Sequence, residues 1–230
     1  VIGLTIVAMG TSLPEAAVSI TAGIKGNAGI TVGNIVGSNI LNILIILGVT
    51  ALITKVAIQK TTFKYEIPYM LLITAVLLVM GMTGNEITFI EGVILWILFI
   101  AYLLYLYILA KKGHDSGDEQ SVKLYPVWKC LLFIVLGGVC VVIGSQFVVN
   151  GATTINIVGS NIFNILFVIG TVALICPVPF ESRFVIDTVV AILCGVLLWG
   201  GTIRHKELRK PCGVVMLLCY AAYFVYLAAM

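Results

Sequence analysis

Long apolar runs separated by short polar stretches make up most of the chain. Eight of these runs are long enough to cross about 30 Å of hydrocarbon as helices. They lie near 1–25, 28–54, 65–83, 89–110, 127–150, 156–175, 184–202 and 211–229. Because every backbone amide inside a bilayer needs a hydrogen-bond partner, the runs predict helices, whereas barrel strands would show short alternating segments. We therefore predict an all-α polytopic membrane protein.

The composition is too apolar for a water-soluble domain. Hydrophobic residues make up 61% of the 230 residues, charged residues 10%, and the mean hydropathy is +1.17. Soluble domains are about a quarter charged. The net charge of +3 sits in loops, so it reports membrane topology and does not indicate a nucleic-acid partner. The six cysteines lack metal-ligand spacing and are expected to behave as small apolar side chains.

The one long polar stretch, 111–125, divides the chain into halves 1–110 and 126–230. A metal cluster of His114, Asp115, Asp118 and Glu119 is conceivable there. However, the intervening Gly and Ser leave nothing rigid to hold a coordination geometry. We predict a plain solvated loop.

The two halves share a repeated sequence. Residues 34–42 read NIVGSNILN, and residues 156–164 read NIVGSNIFN. Such a match inside two apolar helices indicates the internal repeat of a transporter, with its ion site near the membrane midplane on broken helices.

The second copy looks incomplete. A whole apolar segment containing GTSLPE precedes the first nonapeptide, but only GATTI precedes the second. Inserting one helix between Ile155 and Asn156 also brings the basic loop 203–210 to the same side as loops 55–64 and 111–125, which positive-inside bias makes cytoplasmic. We therefore expect about fifty residues to be absent at 155/156 and a helix to be absent before Val1. The full protein would then have ten helices in two inverted repeats.

Glu15 is the leading candidate for chemistry. A carboxylate at the centre of a bilayer costs about 2.5–3.5 kcal/mol on insertion scales, so it normally meets a cation or a proton. Pro14 and Gly10 are expected to break the helix where Thr11 and Ser12 present hydroxyl oxygens. A cluster of hard oxygens around one negative charge suits calcium, whereas softer metals would need imidazole or thiolate.

The repeated nonapeptide supplies further oxygen atoms. Ser38 and Asn42 are four residues apart and share one helical face, as do Ser160 and Asn164 in the second copy. Gly33 and Gly37 have the GxxxG spacing of closely packed membrane helices. The remaining asparagines of the motif are expected to hydrogen-bond the broken backbone and not the ion: Asn34, Asn39, Asn156 and Asn161.

The other acidic residues of the apolar segments are expected to lie at the membrane interface, because they open spans or flank a short loop: Glu66, Asp187, Glu86 and Glu91. Tyrosines near helix ends are expected to anchor the same interface: Tyr102, Tyr105, Tyr107, Tyr220, Tyr223 and Tyr226.

The segment AMGTSLPEAAVSITAGIKG followed by GNIVGSNILN resembles the first α-repeat of the calcium/cation antiporter superfamily, and NIVGSNIFN resembles part of its second. The similarity is highest to prokaryotic sodium/calcium exchangers. It implies an inverted-repeat antiporter of a prokaryotic cell (inner) membrane that exchanges sodium for calcium. The ion ligands that it implies are Glu15, Thr11, Ser12, the backbone carbonyl of Ala8, Ser38, Asn42, Ser160 and Asn164. Asn164, where potassium-dependent members carry Asp, argues against potassium coupling.

Calcium, sodium and the lipid bilayer are the expected partners, and no enzyme activity, cofactor or obligate protein partner is expected. Two alternatives stay open. Glu15 could itself titrate in a proton/calcium antiporter, since buried carboxylates can hold protons. A cation channel is the second alternative, although inverted broken-helix repeats favour a carrier.

Overall fold

A computed structural model describes residues 2–114, 152–203 and 206–229, and its architecture is a bundle of apolar helices. The helices are α1 (Ile2–Thr11), α2 (Leu13–Ile24), α3 (Gly29–Ile53), α4 (Thr62–Gly84), α5 (Phe89–His114), α6 (152–175), α7 (Ser182–Thr202) and α8 (Lys210–Ala229). Helices α3 to α8 are each long and apolar enough to cross a membrane. Helices α1 and α2 together make up the broken first span.

These elements confirm seven of the predicted spans within about four residues at each end. The predicted span 127–150 lies outside the described residues. The predicted loop 111–125 begins too early, because α5 continues to His114, and its residues 115–125 also lie outside the described part. The helix across 155/156 starts at Ala152, four residues before the predicted beginning.

Three of the helices contain π-helical turns, which the sequence did not predict. Helix α3 widens at Asn42–Leu47 and α6 widens at the repeat-equivalent Asn164–Ile169. Helix α4 begins with a third such turn, Thr62–Glu66. Turns of this kind are frequent at functional sites because they displace side chains from the regular helical positions.

Two small antiparallel sheets join the loops at opposite ends of the bundle. Strand β1 (Val56–Ala57) pairs with β4 (Glu207–Leu208), and β2 (Glu86–Ile87) pairs with β3 (Val178–Pro179). Each sheet therefore combines one loop from each half. The loops after α3 and after α7 lie at the same end, as the charge pattern predicted.

The same loop geometry recurs in both halves. Asn85 before β2 and Lys206 before β4 both adopt left-handed backbone angles, with φ of 56° and 51°. The carbonyl of Asn85 accepts a 2.7 Å hydrogen bond from the Phe180 amide, and that of Lys206 accepts a 2.8 Å bond from the Ile58 amide. The repeat thus extends well beyond the nonapeptide.

Close helix packing also follows the repeat. Helix α5 packs along the second half of α6, α8 packs along the second half of α3, and α4 packs against α7. Glycines allow the approach: a Cβ on Gly92 would lie 3.0 Å from the Gly170 carbonyl oxygen, and one on Gly213 would lie 2.7 Å from that of Gly48. Helix α6 is the most enclosed, with 83% of the residues in its apolar window buried, against 11% for α8. The second repeated motif therefore sits at the centre of the bundle.

We predict that Gly213→Ala lowers the melting temperature of the purified protein. The new methyl group would meet the backbone of α3, which cannot rotate away, and such overpacking typically costs about 1–3 kcal/mol. Gly200→Ala on α7 is the matched control, because a Cβ there meets nothing within 4 Å. Equal melting temperatures for the two variants would contradict the close α3–α8 contact.

Candidate functional site

The first span breaks at Ser12, as the sequence predicted. Ser12 has φ −95° and ψ 2°, outside the helical region, and separates α1 from α2. Pro14 follows at the start of α2, where the missing backbone N–H costs nothing because no partner is available there. Glu15 then lies in the first turn of α2, where the helix dipole favours a negative charge.

Glu15 has one bonded and one unbonded carboxylate oxygen. Its Oε1 accepts a 2.9 Å hydrogen bond from the Ser38 hydroxyl of α3. Its Oε2 is buried with no hydrogen-bond partner among the described residues. The described ion pairs, Arg183–Glu181 and Arg209–Glu207, do not involve it. A buried acceptor without a donor is costly, so this oxygen has unused capacity to accept a hydrogen bond or a cation.

The backbone of α2 beside Glu15 is held from α3. Asn34 Nδ2 donates to the Glu15 carbonyl oxygen at 3.3 Å and to the Ser19 hydroxyl at 2.9 Å. This contact confirms that Asn34 hydrogen-bonds backbone at the broken helix. It also fixes the position of the carboxylate relative to Ser38.

The break in the first span lies directly against α6. The hydroxyls of Ser12 and Ser160 are hydrogen-bonded to each other. Thr11 Oγ1 donates to the Ala8 carbonyl at 2.8 Å and approaches Asn156 Oδ1 at 3.5 Å. Gly159 permits this approach, since a Cβ there would lie 3.2 Å from that of Ala8. Six of the eight predicted ligands are therefore paired at or next to the break: Thr11 with Ala8, Ser12 with Ser160, and Glu15 with Ser38.

Four of the six asparagines of α3 and α6 form a reciprocal network. Asn39 Nδ2 donates to the Asn161 carbonyl, and Asn161 Nδ2 donates to the Asn39 carbonyl, both at 3.2 Å. Asn42 Nδ2 donates to Asn161 Oδ1 at 3.1 Å, and Asn164 Nδ2 donates to Asn39 Oδ1 at 3.0 Å. Each bond in one half has its counterpart in the other, as a pseudo-two-fold axis requires. Asn39 and Asn161 thus bond backbone, as expected, whereas Asn156 accepts from a side chain.

The last two predicted ligands, Asn42 and Asn164, begin the π-helical turns of α3 and α6. Their amide nitrogens are used in the asparagine network. Asn164 Oδ1 is fully buried and has no hydrogen-bond partner among the described residues. It is therefore the second unbonded oxygen in this region. The π-helical turns occupy equivalent positions of the repeat, so the repeated motif was the one feature of the sequence that could have pointed to them.

Glu66 and Asp187, which are predicted to lie at the membrane interface, are buried against protein. Glu66 is 3% exposed and Asp187 is 8% exposed. Each lies at least one turn inside its helix, and Asp187 accepts a hydrogen bond from Tyr223 of α8. Tyr102 and Tyr223, two of the predicted interface tyrosines, are buried as well. Hydropathy locates a span but does not tell which face of it packs against protein.

The donor set around Glu15 is rich in oxygen. Within the described ranges, no group of three or more His, Cys, Asp or Glu residues could hold a metal ion. Hydroxyl, amide and carbonyl oxygens with one carboxylate are ligands typical of hard cations such as sodium and calcium.

Comparison with known proteins agrees with this geometry. The family model described as "Sodium/calcium exchanger protein" matches residues 1–108 and 154–229. The putative antiporter CaxA of Alkalimonas amylolytica is 30% identical over 277 residues, covering 97% of this chain and 86% of CaxA. The sodium/calcium exchanger MaX1 of Methanosarcina acetivorans is 41% identical over 107 residues, covering 46% of this chain and 31% of MaX1.

The fold has been solved in a relative. A structure of the sodium-calcium exchanger NCX_Mj, soaked with Na⁺ and Sr²⁺, matches with a TM-score of 0.76 and 26% identity. The match covers 97% of this chain and 85% of NCX_Mj. The resemblance seen in the repeated motifs is therefore confirmed over nearly the whole chain, and the channel alternative is set aside. The chain belongs to the sodium/calcium exchanger protein family and is an integral membrane antiporter of cations, not an enzyme.

Proposed function

We propose that this antiporter exchanges sodium for calcium by alternating access, and that Glu15 is the central ligand for both ions. The observation that carries the proposal is the buried, unbonded Oε2 of Glu15 at the break between α1 and α2. The carboxylate accepts a hydrogen bond from Ser38, and Ser12, three residues before Glu15, is hydrogen-bonded to Ser160 of the second half. The relatives MaX1 and NCX_Mj, which are named as sodium/calcium exchangers, support this choice of ions.

The proposed ligands are Glu15, Thr11, Ser12, the Ala8 carbonyl, Ser38, Asn42, Ser160 and Asn164. They come from both repeats, so a movement of one half against the other changes the cage. Calcium and sodium would compete for the same oxygens, and the site would face one side of the membrane at a time. The Ser12–Ser160 and Thr11–Asn156 contacts link two different elements, α1 and α6. We expect these contacts to break or shift when the site changes its access.

We also infer that the second half lacks one crossing before α6; because α6 is continuous through 155/156, the missing residues would precede Ala152 and not fall at the predicted junction. Helix α6 begins beside β1 and the first turn of α4, and it leads into β3 at the other end of the bundle. If 127–150 crosses the membrane from the end of α5, it finishes at the end opposite to the start of α6. One further membrane crossing between 127–150 and α6 would bring the chain back to the end at which α6 starts. The 277-residue alignment with CaxA, longer than this 230-residue chain, agrees with residues missing inside the chain.

The charge distribution supports an orientation in a prokaryotic inner membrane. The end with β1 and β4 carries an excess of basic residues: Lys55, Lys60, Lys64, Lys111, Lys206, Arg209 and Lys210 against Glu207. The end with β2 and β3 has Lys25 and Arg183 against Glu86, Glu91 and Glu181. Positive-inside bias makes the first end cytoplasmic.

Replacing Glu15 by Gln tests the site. We expect sodium-driven calcium uptake into proteoliposomes to fall more than about tenfold, because losing a charged ligand costs more than ~1.4 kcal/mol of binding. Glu86→Gln, an exposed carboxylate near β2, is the control and should retain uptake. Equal uptake by both variants, with both proteins correctly inserted, would refute the role of Glu15.

The coupling ion is tested by choosing the gradient. With an outward sodium gradient and the pH gradient collapsed by an ionophore, we expect saturable calcium uptake. With a pH gradient alone and no sodium, we expect uptake near the protein-free background. The reverse pattern would establish a proton/calcium antiporter, in which Glu15 itself gains and loses the proton.

A further inference from the structure

Glu66 is a second buried carboxylate, separate from the group around Glu15. It ends the π-helical first turn of α4 and is 3% exposed. Its Oε2 is buried and has no hydrogen-bond partner among the described residues. Lys64, the nearest basic residue in sequence, is exposed and lies over the Tyr65 ring at 5.2 Å. No described basic group forms an ion pair with Glu66.

The repeat places an acidic residue and two stacked tyrosines at matching positions in both halves. Phe63–Glu66 of α4 corresponds to Phe184–Asp187 of α7. The tyrosines are Tyr102 and Tyr105 on α5 and Tyr223 and Tyr226 on α8. The two rings of each pair are 6.3 Å apart, with interplanar angles of 24° and 27°. The arrangement is thus built into both halves.

The two halves differ in how the carboxylate is satisfied. Asp187 Oδ1 accepts a 2.8 Å hydrogen bond from the Tyr223 hydroxyl, and Arg183 lies one turn earlier on the same helix. Helix α7 is regular α-helix there, whereas α4 is π-helical at Glu66. Of these two carboxylates, Glu66 has a buried oxygen without a partner among the described residues, whereas Asp187 does not.

Other unbonded oxygens lie in the same part of the bundle. Thr62 Oγ1, one turn before Glu66, and the Tyr105 hydroxyl are buried without partners among the described residues. The Tyr105 ring lies 6.2 Å from the ring of Tyr65, the residue before Glu66, and the Tyr102 ring stacks on Tyr69 of α4 at 5.6 Å. Helix α6 packs against this turn of α4 and buries a further unbonded hydroxyl, that of Thr154. A proton could satisfy one of these oxygens, but a metal ion could satisfy several.

We propose that Glu66, Thr62 and Tyr105 bind one monovalent cation of the size of sodium, at a site distinct from that of Glu15. One carboxylate balances one positive charge, and the remaining ligands are neutral oxygens, as hard cations prefer. The site would stabilise the packing of α4 against α5. A cation bound there joins two elements that each leave a polar group unsatisfied.

The site is linked to the transport site by one side chain. The Tyr102 hydroxyl lies 3.9 Å from the position of a Cβ on Gly159, and Gly159 precedes Ser160 of the transport site. Tyr102 thus contacts α6 one residue before Ser160, while its ring stacks on Tyr69 of α4. Occupancy of the Glu66 site therefore bears on the packing that surrounds the transported ions.

The experiment measures sodium-dependent stability with the transport site disabled. Glu15→Gln serves as the background, so that the test does not depend on the proposed function. The melting temperature of the purified protein is measured in sodium chloride and in choline chloride at equal ionic strength. We expect 100 mM sodium to raise it by about 3 °C through preferential binding to the folded state.

Glu66→Gln in this background should abolish the sodium-dependent rise, while Asp187→Asn, at the repeat-equivalent position, should keep it. Tyr105→Phe removes one buried hydroxyl and should shift the rise to higher sodium concentrations; it carries the test if Glu66→Gln fails to fold. A rise that persists in Glu66→Gln or is unchanged in Tyr105→Phe would overturn the proposal. So would the absence of any sodium-dependent rise in the background, which would leave Glu66 with a purely structural role or a proton.

Discussion

The reciprocal hydrogen bonds between Asn39 and Asn161 are the constraint on which the rest of the structure depends. In an apolar interior each amide group must find a partner, and here each asparagine finds the backbone carbonyl of the other. Such a match is possible only because both helices carry the same motif in opposite directions. It brings α3 and α6 together at their π-helical turns. The contacts at Ser12 and Glu15 follow, because α1, α2 and α6 then meet around the same centre.

Against this background of satisfied polar groups, the unsatisfied ones stand out. Glu15 Oε2 and Asn164 Oδ1 lie near the break in the first span, and Glu66 Oε2 lies at the π-helical turn of α4. Each is an acceptor in an environment where an unpaired acceptor is costly. A protein that moves cations through a membrane needs such oxygens, since a fully satisfied carboxylate would have no room for an ion.

The two halves share an architecture but not a chemistry. The loops, the glycine contacts and the tyrosine pairs repeat closely, which shows that packing has been kept in both. The acidic groups differ: Glu15 has no described counterpart in the second half, and Asp187 is hydrogen-bonded where Glu66 is not. The packing contacts can repeat closely because the helices of both halves have the same kind of neighbours. An ion site between the two halves depends on the total charge of its ligands, so the two halves can contribute different numbers of acidic residues.

The sequence by itself determined the membrane helices, the repeat, the break at Ser12 and the grouping of Glu15 with Ser38, because hydropathy, identical motifs and proline chemistry are local properties. It also indicated the family through GTSLPE and NIVGSN. Only the tertiary structure decided which face of each helix is buried. That is why the sequence did not show that Glu66 and Asp187 are buried against protein, since a carboxylate near a helix start has the same sequence context whether it is buried or exposed. The π-helical turns at Asn42 and Asn164 and the reciprocal asparagine bonds also depend on the partner helix, because a widened turn becomes favourable only when the groups it displaces find donors or acceptors across the interface.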